Sequence, residues 1–269
     1  MPNSYNNRNG GKRKGRHISR KTRRINIILT LISSIIILYM LLVVFAPDLY
    51  HKMTRPILDW LALTTSAKDI KGEVKGIDVS RYQGEIHWED VASDGVKFAY
   101  IKATEGRDIV DDRYAENIKG AQDAGLAVGS YHYLTSRSPV KSQFANFTST
   151  VDKEDQDLLP MVDIEKAGVG TWNARQIKDS LQLFLDLSKK HFGKYPIIYT
   201  YSNFFNQYLS PDFNHYYLFI ANYQQEPVVK GAGVHNIWQL TDRGRVSGIN
   251  HRVDLDVLSN GTTLEDLKL

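Results

Sequence analysis

Between residues 74 and 257 the chain repeats one pattern, short apolar runs separated by longer amphipathic stretches. The runs at 74–79, 97–102, 126–132, 159–164, 196–201, 217–221, 235–239 and 253–257 read as strands. Those at 87–93, 111–124, 139–151, 173–192 and 203–208 read as helices. Such alternation favours a parallel sheet, closed into a barrel or wound open, because each strand that returns parallel needs a crossover. Eight strands favour closure. About 195 residues are short for eight full strand–helix units, so several helices must be missing or reduced. The expected fold class is α/β, an irregular (β/α) barrel with reduced helices.

Barrels of this kind carry their chemistry at the C-terminal ends of the strands, and the acids of this chain gather there. Asp78 ends the first strand, Asp163 and Glu165 follow the fourth, and Asp254 lies in the last. In Leu159-Pro-Met-Val-Asp-Ile-Glu-Lys166 an extended backbone turns Asp163 and Glu165 to the same face, with Cα atoms about 7 Å apart. Like charges at that range push one carboxyl upward, leaving a proton donor beside an ionised carboxylate. Glycoside hydrolysis needs such a pair, although an isolated D-x-E is more often two solvated acids. Aromatic residues also end strands: Tyr131, His132 and Tyr133, Tyr199 and Tyr201, Tyr223, and Trp238. Sugar rings present apolar C–H faces, so aromatic walls in an acidic cleft suit a polysaccharide. For any one of them, and for His132 above all, a structural role is the plainer reading.

The first 73 residues differ from the rest. Residues 1–24 hold nine Lys or Arg and no acid, the pattern of a disordered basic tail. Ile27 to Ala46 is free of charge and long enough to cross a bilayer as a helix of about 30 Å. A transmembrane helix is therefore expected over 25–46. A cleavable signal peptide competes, since Val44 and Ala46 are small, but Pro47 and the length of the run argue against cleavage. The positive-inside rule puts the tail in the cytoplasm and the C-terminal domain outside a cell membrane crossed once. Residues 47–73 form a stem in which 57–63 is either an interfacial amphipathic helix, with Tyr50 and Trp60 at the surface, or a helix packed on the domain. Residues 74–269 form the barrel.

The sequence pI of 9.0 belongs to the tail. Without those nine cations, 25 basic residues face 30 acidic ones, a net charge of −5. The position of the basic tail against the apolar run explains it better than a nucleic-acid partner does. With no Cys, the chain has no disulfide, thiolate metal site or cysteine nucleophile. It also lacks a Walker loop, G-x-G-x-x-G, H-E-x-x-H and G-x-S-x-G, and shows no internal repeat.

Seven blocks in order carry a family resemblance: Gly76-Ile-Asp-Val-Ser80 with Gln83, Phe98-Ala-Tyr-Ile-Lys-Ala-Thr-Glu-Gly106, Gly129-Ser-Tyr-His-Tyr133, Val162-Asp-Ile-Glu165, Ile198-Tyr-Thr200, Ile237-Trp-Gln239 and Val253-Asp-Leu255. Over residues 74 to about 260 the chain resembles glycoside hydrolase family 25, the N-acetylmuramidase lysozymes. The resemblance implies a flattened barrel that cleaves the β-1,4 bond between N-acetylmuramic acid and N-acetylglucosamine in peptidoglycan, with neither metal nor cofactor. It implies Glu165 as general acid and Asp163 as its catalytic partner, steadying the acetamido group of the substrate. Asp78 and Asp254 are the other acids of the cleft, with Tyr131, Tyr199, Tyr223 and Trp238 as substrate-binding aromatics. Three positions depart from the family pattern: Phe219 where Trp is common, Asp256 where Asn is usual, and Tyr133 where Phe is usual. The rival readings are a non-catalytic wall-binding or scaffold protein that retains the barrel, and a hydrolase of another amino-sugar polymer. All four acids are present, which favours the enzyme.

Overall fold

The computed structural model describes Thr30, Ser33, Ser34, residues 65–70 and residues 74–269. The expected tail, the stem segment with Tyr50 and Trp60, and nearly all of the expected membrane span lie outside the described residues. Thr30, Ser33 and Ser34 are helical, and the Ser34 hydroxyl donates to the Thr30 carbonyl at 2.9 Å. Among the described residues no helix is long and apolar enough to cross a membrane.

Eight strands close the barrel among the described residues: β1 Lys75–Val79, β2 Phe98–Glu105, β4 Ala127–Tyr133, β5 Met161–Asp163, β6 Ile197–Tyr201, β7 Leu218–Ala221, β8 Ile237–Gly244 and β9 Val253–Leu258. A two-residue strand, β3 Ile109–Val110, pairs antiparallel with β2 outside the ring. Pairing is parallel from β1 through β8, and β9 closes the ring antiparallel to both β8 and β1. The sheet is thus mixed, where the alternation implied a parallel one. Residues 245–252 contain no helix and are too few for a crossover, so the chain can only return antiparallel.

The helices are reduced as expected. They are α1 Trp88–Ser93, α2 Tyr114–Asp123, α3 Val140–Thr150, α4 Lys166–Val169, α5 Ala174–Phe192 and a single turn, α6 Ser202–Phe204, that runs into a π-type stretch Phe205–Leu209. The longest, α5, has both termini written in sequence. Asn173 and Gln176 form a reciprocal capping box at 2.9 Å each way, and Gly193, at φ 84°, supplies the left-handed residue that ends it. Its buried face, Ile177, Leu181, Phe184, Leu185, Ser188 and Phe192, follows helical spacing onto the barrel.

Strand alternation divides the core in two. Phe98, Tyr100, Tyr131, Met161, Ile197, Tyr199, Phe219, Ile237 and Leu258 fill the lumen, while Ala99, Ile101, Val128, Val162 and Ile198 face the helical shell. Gly76 faces the lumen too, and a Cβ there would collide with the Phe98 ring, an overpacking that costs about 1–3 kcal/mol. The C-terminal end closes the barrel floor, where the Leu159 N–H donates to the Leu267 carbonyl at 2.7 Å. Apolar floor and acidic mouth therefore lie at opposite ends of one lumen.

Residues 65–70, within the expected stem, pack against the barrel. Ser66 bridges to Arg245, Ala67 is fully buried, and Lys68 pairs with Asp94 at 2.9 Å.

Candidate active site

The mouth of the barrel holds a cleft of about 310 Å³ lined by Asp78, Asp163, Glu165, Asp254 and, among others, Lys102, Tyr131, Tyr133, Tyr199, Tyr201 and Tyr223. Asp78, at the end of β1, faces Asp254 directly across an antiparallel pair. Asp254 is at the start of β9, not at a strand's C-terminal end. It reaches the mouth because β9 runs backwards. Asp163 ends β5, and Glu165, still extended at φ −130° and ψ 157°, opens α4.

Tyr131 and Tyr199 sit deep, at 8% and 5% exposure, and Tyr223 stands at the rim with its hydroxyl 3.3 Å from that of Tyr201. Trp238 does not enter the cleft. Its neighbours Ile237 and Gln239 point inward, so alternation sends Trp238 outward, where Nε1 donates to the Asn222 carbonyl at 2.9 Å. It lines a separate depression with Leu240 and Val257. Phe219, which stands where Trp is common in the family, is fully buried in the lumen, edge-on to Tyr199 at 5.1 Å. His132 is structural: it stacks on Phe184 at 5.3 Å, and Nδ1 lies 2.7 Å from Thr104 Oγ1. Burial lowers its pKa to about 4.

Two residues without an assigned role in the sequence contact the acids and aromatics of the mouth. Lys102 lines the cleft because it continues the lumen face of β2 after Phe98 and Tyr100, opposite Tyr131. Its Nζ lies 3.0 Å from Glu105 Oε2 and 4.9 Å from the centre of the Tyr133 ring. Gln239 is almost fully buried on β8 and donates from Nε2 to Asp78 Oδ2 at 2.6 Å. A lone cation and a lone amide inside apolar strands were the available signals.

Burial dominates the electrostatics. It raises Asp78 to about 6, against hydrogen bonds from Gln239 and Asp254 that hold it down. Asp254 rises to about 9, through burial and then the Asp78 charge. The pair thus shares one proton near neutrality and leaves one negative charge at Asp78. Glu165 is lifted to about 7, by burial first and by the Asp78 charge second. Asp163 is pushed well above the usual carboxylate range by its deeper burial and then by Glu165. The neighbouring charge that raises Glu165 is that of Asp78, whereas the Lys102 charge and the hydrogen bond from Asp163 lower it. Asp163 Oδ1 has no hydrogen-bond partner among the described residues.

A half-buried carboxyl titrating near 7, beside a second carboxyl and opposite a held anion, is equipped to give a proton to a leaving oxygen. Residues 77–249 match the model of glycosyl hydrolases family 25. YegX of Escherichia coli is 36% identical over 197 residues, covering 71% of each chain. The autolytic lysozyme of Clostridium acetobutylicum is 35% identical over 190 residues, covering 70% of this chain and 56% of that protein. Among solved structures, a family 25 glycosyl hydrolase from Bacillus anthracis superposes with a TM-score of 0.67 at 30% identity, over 73% of this chain and 94% of that one. The lysozyme of Streptomyces coelicolor gives 0.65 at 30% identity, over 73% and 96%. The chain belongs to glycoside hydrolase family 25.

Proposed function

We propose that this protein is a peptidoglycan hydrolase, an N-acetylmuramidase that cleaves the β-1,4 bond between N-acetylmuramic acid and N-acetylglucosamine. The observation that carries the reading is Glu165, raised to about 7 at the mouth of a family 25 barrel. Glu165 transfers its proton to the glycosidic oxygen as the bond from that oxygen to the anomeric carbon breaks. The positive charge left on the sugar is met by the acetamido oxygen of the substrate, and water completes hydrolysis. Asp163, with Oδ1 unpartnered, steadies the acetamido group. Asp78 and Asp254 keep a single negative charge across the mouth. Tyr131 and Tyr199 form the bed of the cleft and Tyr223 its wall.

The basic tail and the uncharged run before residue 47 support the further proposal of a single-pass anchor, with the tail in the cytoplasm and the barrel at the cell wall. Protease added to intact wall-stripped cells then destroys the barrel, and survival of the barrel with loss of the tail reverses the orientation. For the activity, the full-length chain is incubated with purified peptidoglycan and the new reducing ends are identified. Muramic acid ends support the reading. Glucosamine ends make the enzyme a glucosaminidase, and no release leaves a wall-binding protein.

A further inference from the structure

Gln239 stands between the acids and the rim, and its role in catalysis rests on the glycosidase reading of the cleft. The side chain does not line the cleft, yet all its hydrogen-bonding ends point to groups that do. Nε2 donates to Asp78 Oδ2 at 2.6 Å, while Oε1 accepts from the hydroxyls of Tyr199 and Tyr223, each at 2.8 Å. Two hydroxyl donors on one end fix the amide: oxygen faces the phenols and nitrogen faces the carboxylate. Both tyrosines are raised by burial, so both stay neutral donors.

We propose that Gln239 is a positioning residue of this site, which holds Asp78 Oδ2 as an acceptor beside Asp254 and ties that arrangement to the Tyr223 hydroxyl at the rim. The groups that hold Asp78 down are Gln239 and Asp254, and neither is a cation. Without the amide donor, a buried carboxylate has one hydrogen bond fewer to its charged form, and a proton takes its place. The charge that retains the Glu165 proton is then lost. Because Tyr223 and Asp78 meet at the same amide, a sugar hydroxyl that binds the Tyr223 phenol is one side chain away from the anion opposite Glu165.

The test uses the full-length chain, purified peptidoglycan and two variants of similar volume. Gln239→Met removes both hydrogen-bonding ends. Gln239→Glu still accepts from the two tyrosines but donates to Asp78 only when protonated. For Gln239→Met, kcat/KM at neutral pH falls about 10-fold, through kcat more than KM, and the alkaline limb of the profile moves to lower pH. Gln239→Glu recovers toward wild type as the pH is lowered. A uniform loss at every pH in both variants, or an unmoved alkaline limb in folded protein, reduces Gln239 to packing and overturns the proposal. If Gln239→Met does not fold, Gln239→Glu carries the test alone. If the wild type cleaves no glycan, the glycosidase reading fails by itself. The positioning role is then read from the carboxyl ¹³C titration of Asp78, which rises in the variant or refutes the proposal.

Discussion

The two sides of the cleft use the same side chains differently. On the β8–β9–β1 side, Asp78 and Asp254 are held by each other and by an amide that two tyrosines orient. On the β5 side, Asp163 has an oxygen without a partner among the described residues, and Glu165 opens a short helix at the cleft. Both sides are buried enough to raise their carboxyls, so burial alone does not assign roles. What separates them is the supply of fixed donors: the held side keeps a charge in place, and the other side is left with a proton to give away.

This contrast is broken most severely at the proton donor. Glu165→Gln keeps the shape but removes the transferable proton, and turnover on peptidoglycan falls ~10²–10⁴-fold with glycan binding retained in a pull-down. Asp163→Asn lowers kcat by roughly 10–10²-fold, through the loss of acetamido support. Asp78→Asn acts from the held side. Glu165 works protonated, so activity declines as pH rises through about 7. Without the Asp78 charge the Glu165 proton leaves earlier, the alkaline limb shifts to lower pH, and kcat/KM at neutral pH drops roughly 10-fold.

The smaller effects are on stability. A chain beginning at residue 74 lacks the Ala67 N–H bond to the Arg245 carbonyl and the Arg245 N–H bond to the Thr65 carbonyl. It is less stable to urea than one beginning at residue 64 by about 1–3 kcal/mol. Asp256, below the held pair, is fully buried and neither carboxyl oxygen has a partner among the described residues, so burial pushes it well above 3.8. Below pH 3.8 it is neutral in both states. As pH rises, the unfolded chain releases a proton that the folded chain keeps, and folding loses up to about 1.4 kcal/mol per pH unit. Asp256→Asn removes this penalty, so Tm declines less steeply with pH while activity changes little.

The strands were legible because their apolar runs must be buried on both faces, and the cleft acids because they end those runs. The direction of β9 was not, since Val253-Asp-Leu-Asp-Val257 alternates identically read either way. Alternation likewise shows that Trp238 and Gln239 face opposite sides, but not which side is the lumen, so the aromatic residue was placed in the cleft and the amide overlooked. The segment 65–70 joins the barrel through the bridge to Arg245, the Lys68–Asp94 pair and the burial of Ala67, contacts that leave no periodicity in the sequence. The part Asp78 takes in holding the Glu165 proton depends on burial and on a partner 161 residues away, Gln239.

The central claim is that the held side keeps a proton on Glu165. The direct measurement is the carboxyl ¹³C titration of Glu165 in the wild type and in Asp78→Asn. The account predicts a midpoint near 7 in the wild type and a lower one in the variant. A wild-type midpoint at the ordinary 4.5, unchanged by the substitution, would contradict it.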